Sequence, residues 1–214
     1  MSWLPVYNCW LFMIGLLGIF LWKLWGVLVL LLLTLAAVVG LIKEVALVRN
    51  HYGFGFWLFI LSEVIIFATL FVIVCWTTDL QIAPISEGLE LPLLGSCILL
   101  GSSVTATAYH HSRGLQGSSL YVWLTVVLGL SFVLLQLSEL YDCECDILGG
   151  VYHAVSFSTV GLHFLHVFIG VVVFLLLLWI GANSINPHLS NLAVWYWHFV
   201  DYIWVFVFVF IYLL

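Results

Sequence analysis

Gly55 to Trp76 reads GFWLFILSEVIIFATLFVIVCW, an apolar run holding a single charged residue, Glu63. A helix needs about 20 such residues to cross about 30 Å of hydrocarbon. In a bilayer every backbone amide must pair within its own segment or within a closed barrel. The run is far longer than a barrel strand of about 10 residues, so it reads as a transmembrane helix. The fold is therefore expected to be an all-α integral membrane protein.

The rest of the chain carries the same signature. Of 214 residues, 65% are hydrophobic and 7% are charged, against about 25% charged in soluble domains. Too little polar surface exists to cover a water-soluble globule, and the hydrophobicity excludes disorder. Four Lys/Arg stand against ten Asp/Glu. That balance excludes a nucleic-acid partner, which needs cations to neutralise phosphates.

Further spans follow at 91–109, 120–140, 151–180 and 193–214, so that residues 55–214 hold five helices. The 151–180 run overshoots the bilayer and should tilt or protrude. Leu4 to Ile42 is nearly unbroken except for Lys23. As one helix it would extend about 58 Å, close to two crossings. It reads as two helices, 4–22 and 24–42, hinged near Lys23; one long tilted helix is the alternative. Seven spans result, in a single transmembrane domain over 1–214, with no soluble domain.

Loop charge sets an expected sidedness. Lys43, Arg49 and Arg113 fall on one side, whereas Asp79, Glu87, Glu90, Asp142, Glu144 and Asp146 fall on the other, with Lys23 the basic exception. Positive residues stay on the side of synthesis, which puts the N-terminus inside. The first run lacks a basic start and a cleavage site, so insertion without a cleaved leader is expected. Cys9, Cys75 and Cys97 sit in apolar runs and read as small hydrophobes. Cys143 and Cys145 lack the partner pair of a metal site.

A few polar groups lie within the spans. Glu63 has Ile60, Leu61, Val64 and Ile65 as neighbours. An intramembrane carboxyl is a candidate for proton relay, an ion site or a polar anchor between helices. The plain alternative is a protonated Glu bonded to a neighbouring helix. His163 and His166 share a face at i,i+3 spacing, as do His198 and Asp201. Helix bundles can house metals on such pairs, but interhelical hydrogen bonding explains them without one. His110 and His111, beside Arg113 at a helix end, read as interfacial. Trp195, Tyr196 and Trp197 open the last span and read as a membrane-boundary belt. Gly129, Gly161 and Gly170 are expected to permit close helix approach. On these residues alone, an independent ion- or proton-coupled transporter using Glu63 and Asp201 stays open.

Six segments in order carry a resemblance. They are GFWLFILSEVIIF (Gly55–Phe67), LELPLL (Leu89–Leu94), HHS (His110–Ser112), LLQLSELY (Leu134–Tyr141), GVYHAVSFSTVGLHFLHVFIG (Gly150–Gly170) and WYWHFVDYIW (Trp195–Trp204). Together they resemble subunit III of the haem–copper terminal oxidase family, over about residues 40–214; residues 1–39 match only in hydropathy. The resemblance implies seven transmembrane helices, with the first two a hairpin separated by a lipid-filled cleft from a five-helix bundle. It places Glu63 on the family's membrane-buried glutamate, and His163 and His166 on its histidines.

It also implies a non-catalytic subunit of a proton-pumping cytochrome c oxidase complex of the respiratory chain. Electrons from cytochrome c then reduce oxygen in subunits I and II. This chain would carry no haem, copper or other redox centre, but bound phospholipid. Its partners would be mainly subunit I, other oxidase subunits and phospholipids. Its roles would be to support proton uptake, active-site stability and lipid or oxygen access. The expected location is the mitochondrial inner membrane, multi-pass, with the N-terminus on the matrix side, rather than a bacterial plasma membrane. The quinol-oxidase counterpart is the nearest alternative, but it often lacks the first two helices.

Departures from the family pattern bear on lipid binding. Lys43-Glu44 stands where the family has Arg-Asp, Asn191 where it has Glu, and His153 where it has Gly. The loop from Asn183 to Val194 has no Lys or Arg. Specific head-group contacts are therefore not expected from that loop, and an anionic lipid would rely mainly on Lys43, Arg49, histidines or backbone donors; the candidates for the interface and for lipid contact are Lys43, Arg49, His110, His111, Trp195 and Trp197.

Overall fold

The computed structural model describes residues 4–21, 24–47, 53–78, 86, 88, 90–115, 117–143, 145–181 and 187–213. Lys23, Arg49, Asp79, Glu87 and Glu144 lie outside them, as does the side chain of Lys43. Among the described residues there are seven α-helices: α1 (Leu4–Phe20), α2 (Leu24–Leu47), α3 (Gly53–Thr77), α4 (Leu91–Ser112), α5 (Ser118–Asp142), α6 (Val151–Ile180) and α7 (Pro187–Val207). A π-helical turn, Phe208–Leu213, continues α7. Five helices, α3 to α6 and α7 with its π turn, are long and apolar enough to cross a membrane among the described residues. The chain is an all-α membrane protein.

The helix ends follow local chemistry. α2 runs five residues past Ile42, because Lys43, Glu44 and Ala46 are good helix formers and do not stop it. α6 is bracketed by Gly150 and Gly181, both at positive φ. The tight turn before α5 uses Gly114 and Gly117, also at positive φ, which glycine adopts without a Cβ clash. α7 starts at Pro187, six residues before the apolar run begins. Proline is well suited to a first helical position, and its missing N–H leaves no donor unpaired there. Arg113 supports this polar first turn: its Nη1 donates to the Pro187 carbonyl at 2.9 Å and to Asn191 Oδ1 at 3.1 Å.

The chain divides into two compact units, Met1–Tyr52 and Gly53–Leu214. In the first, α1 packs on α2. The approach is close, since a Cβ on Gly26 would lie 2.9 Å from the Gly18 Cα. Tyr7 also donates to the Leu33 carbonyl at 3.3 Å. In the second unit, α4, α5, α6 and α7 form a closed ring of neighbours, and α3 packs against α6 and α7. The ring encloses Phe132, Phe174, Trp197, Val200 and Trp204, all buried.

Trp197 departs from the membrane-boundary reading. It is 0% exposed, ten residues into α7, and its indole N–H donates to Ser102 Oγ at 3.0 Å. Two glycines make its slot. A Cβ on Gly170 would fall 2.7 Å from the indole, and one on Gly129 would fall 2.8 Å from it. Gly161 does not act this way, because a Cβ there would meet nothing within 4 Å. Trp195 does point outward, with its ring 5.5 Å from that of Trp57.

Candidate functional site: a glutamate–histidine contact between α3 and α6

Glu63 lies near the middle of the 25-residue helix α3. Ten residues after Gly53 correspond to about 15 Å of rise, half of a bilayer core. The Glu63 side chain is 16% exposed and its Oε2 lies 3.1 Å from Nε2 of His166 on α6.

The surroundings of His166 are aromatic. Phe67 meets its ring edge-on at 5.5 Å, and Phe199 does so at 6.4 Å. Tyr196 stacks near it at 6.4 Å and donates its hydroxyl to the His166 carbonyl at 3.3 Å. The other imidazole nitrogen, Nδ1, lies 2.7 Å from the Leu162 carbonyl one turn earlier on α6. A carbonyl only accepts, so Nδ1 is the donor in this bond. Beside the pair runs an apolar groove of about 410 Å³, lined by Val64, Phe67, Phe71, Cys75, Ile203 and Phe206 among others.

The remaining polar residues of the spans go elsewhere. His163 is buried and donates from Nε2 to the Val200 carbonyl on α7 at 3.2 Å, with Phe132 and Trp204 around its ring. The i,i+3 histidines of α6 thus serve two different helices. His198 on α7 bonds through Nδ1 to Ser103 (2.8 Å) and through Nε2 to Thr107 (3.3 Å), both on α4. Its own-helix neighbour Asp201 is 3.9 Å away, and the Ser103 hydroxyl on α4 is the polar group that the buried Asp201 carboxyl faces across the helix interface. His110 and His111 are exposed in the last turn of α4. Among the described residues, no three His, Cys, Asp or Glu side chains converge as metal ligands would.

One buried carboxyl was passed over in the sequence. Glu139 on α5 is only 2% exposed. Its Oε1 accepts from Ser86 at 2.6 Å and its Oε2 from Gln136 Nε2 at 2.6 Å. The signal was present in LLQLSELY, where Gln136 and Glu139 fall at i,i+3 within an apolar helix and so share a face.

These features define a polytopic α-helical membrane protein whose helices are joined by a few buried polar contacts, with one carboxyl held at mid-depth beside an apolar groove. A model of the family "Cytochrome c oxidase subunit III" matches residues 6–214, reaching well into the segment where only hydropathy was recognisable. The chain belongs to the cytochrome c oxidase subunit III family. It is similar to "Cytochrome c oxidase subunit 3" of Canis lupus, 37% identical over 180 residues, covering 74% of this chain and 67% of that protein. The proteins of the same name from Felis catus (37% over 180 residues) and Equus caballus (37% over 183 residues) cover 74% of this chain and 67% and 68% of their own lengths.

Proposed function

We propose that the chain is the non-catalytic core subunit III of a proton-pumping cytochrome c oxidase in the mitochondrial inner membrane. Subunit I is its main partner, and the haem and copper reside in the other core subunits. The family match supports membership of the complex. The placement of Lys43, Arg49 and Arg113 on one side supports an N-terminus facing the matrix. In this reading Glu63 is a proton-linked group supporting proton uptake and active-site stability. Phospholipid accompanies the subunit, with head-group contacts from Lys43, Arg49, His110 and His111.

The observation that carries the role of Glu63 is its contact with His166: a mid-membrane carboxyl with an ionisable partner and an apolar groove alongside. Intramembrane carboxyls in such positions are the groups that relay protons. The test is turnover-linked proton uptake by the intact complex carrying Glu63→Gln. The expected result is slower uptake, with loss of activity over successive turnovers. Unchanged uptake and unchanged turnover stability would remove Glu63 from the proton-linked role.

A further inference from the structure

Glu139 poses a problem of charge. Its Oε1 accepts from the Ser86 hydroxyl and its Oε2 from the Gln136 amide, each at 2.6 Å. Both oxygens accept, so the group needs no proton of its own to make its bonds. The carboxyl is nevertheless buried, and a buried charge is costly unless it is paired or bound to a metal ion. Among the described side chains Arg113 is the one Lys or Arg. It is committed to Pro187 and Asn191. It also lies beyond the far end of α5, and Ser118 to Glu139 spans about 32 Å of that helix.

Two neutral oxygens beside Glu139 are left over. Gln136 Oε1 and the Tyr212 hydroxyl are buried and make no hydrogen bond among the described residues. Gln136 is 0% exposed and Tyr212 is 7% exposed. The Tyr212 hydroxyl faces both Gln136 and Glu139. The π-helical turn after α7 holds it there. Tyr152 donates to the Ile211 carbonyl at 3.3 Å, and a Cβ on Gly88 would lie 2.8 Å from the Tyr212 carbonyl oxygen. Gln136 and Glu139, at i,i+3 on α5, thus meet Ser86 from the segment before α4 and Tyr212 from the π turn. Such turns are frequent at functional sites.

We infer that the Glu139 carboxylate, Gln136 Oε1, Ser86 Oγ and Tyr212 Oη hold a monovalent hard cation of the sodium type. Every donor is an oxygen, the ligand that hard cations take and soft ones do not. Ser86 can serve while donating to Glu139, because its oxygen keeps its lone pairs. One carboxylate among neutral oxygens gives the site a single negative charge. Sodium brings that charge to zero, whereas a divalent ion would leave a positive charge buried and uncompensated. Because the other donors are neutral, no triad of His, Cys, Asp or Glu marks the place among the described residues. Asp142 and Asp146, exposed where α5 ends, draw cations toward it. The ion ties the π turn and the segment before α4 to α5.

Thermal release of the subunit from the detergent-solubilised intact oxidase tests the site. It is read in sodium chloride against choline chloride, at equal ionic strength and pH, for wild type, Glu139→Gln and Tyr212→Phe. In wild type the release temperature should rise with sodium and level off as one site fills. Glu139→Gln keeps the shape of the side chain and removes its charge, so its release temperature should be the same in both salts. Tyr212→Phe keeps the ring and removes one oxygen. Its sodium midpoint should move to about tenfold higher concentration, the equivalent of about 1.4 kcal/mol in binding. A wild-type release temperature that is the same in both salts would overturn the inference. So would an equal sodium response in Glu139→Gln, which would place the ion elsewhere in the complex. Stabilisation by calcium without any by sodium would overturn the monovalent assignment. Should Glu139→Gln fail to assemble, Tyr212→Phe decides: the shifted midpoint is expected, and an unmoved one is contrary.

Discussion

α3 and α7 are both transmembrane helices, yet the more apolar of the two is the less buried. In the most apolar stretch of α3 only 17% of residues are buried within the protein, against 50% for α7 and its π turn. A soluble protein would show the reverse. In lipid, apolar side chains gain little by turning inward, because the solvent is as apolar as the core. Close packing and hydrogen bonds then decide which helix goes inside. α7 supplies them through Tyr196, Trp197, His198 and Trp204, each bonded to a neighbouring helix. α3 offers Glu63 and little else, and it sits outside the closed ring formed by α4 to α7.

The comparison breaks most visibly at tryptophan. Trp197 on α7 is 0% exposed and Trp76 on α3 is 86% exposed. Trp197→Ala removes an indole wedged between glycines together with its bond to Ser102, whose hydroxyl keeps only the Leu99 carbonyl. It should destabilise the subunit by about 3–5 kcal/mol. Trp76→Ala should change stability by less than about 0.5 kcal/mol. Thermal release of the subunit from detergent-solubilised complex reads both. Equal losses from the two substitutions would show that α3 is packed as tightly as α7.

A smaller effect is expected at Gly170. In Gly170→Ala the new methyl meets a rigid ring at 2.7 Å. Overpacking of this kind costs about 1–3 kcal/mol, offset by about 1 kcal/mol from the better helix propensity of alanine. A net loss of about 1 kcal/mol should lower the same release temperature. Gly161→Ala, with open space at the Cβ, should raise it slightly or leave it unchanged.

This geometry also shows where reading the sequence stops. The seven helices are legible because apolar runs of about 20 residues have few other outcomes in a bilayer. Trp197 was misplaced because Trp195-Tyr196-Trp197 opens the apolar run, which is where aromatic belts occur. What buries it is a slot built from Gly129 on α5 and Gly170 on α6, and no local pattern contains that. Glu63 was legible as unusual from its neighbours alone. Its partner was not, because His166 is 103 residues away and its spacing from His163 suggested a shared task. On the helix those two side chains diverge enough to reach different neighbours, α7 for His163 and α3 for His166. Glu139 escaped notice because it lies near the acidic loop at 142–146, and there it reads as one more boundary charge.

Buried Glu139 and part-buried Glu63 separate under substitution. Glu139 accepts from Ser86 at one oxygen and from Gln136 at the other. In Glu139→Leu both acceptor oxygens are lost, and the buried Gln136 amide is left with a donor unpaired. An unpaired donor in a buried site costs about 1–3 kcal/mol, and the release temperature should fall accordingly. At Glu63 the change to Gln is conservative in bonding. The new amide N–H can donate to Nε2 of His166, so stability should move by less than about 0.5 kcal/mol. What Glu63→Gln removes is the proton that can be exchanged. A large stability loss at Glu63, or none at Glu139, would reverse the assignment of a structural carboxyl to the ring and a proton-linked one to α3. The distinction rests on burial and partners, since Glu139 is 2% exposed and receives from two donors, whereas Glu63 is part-buried with His166 as its partner.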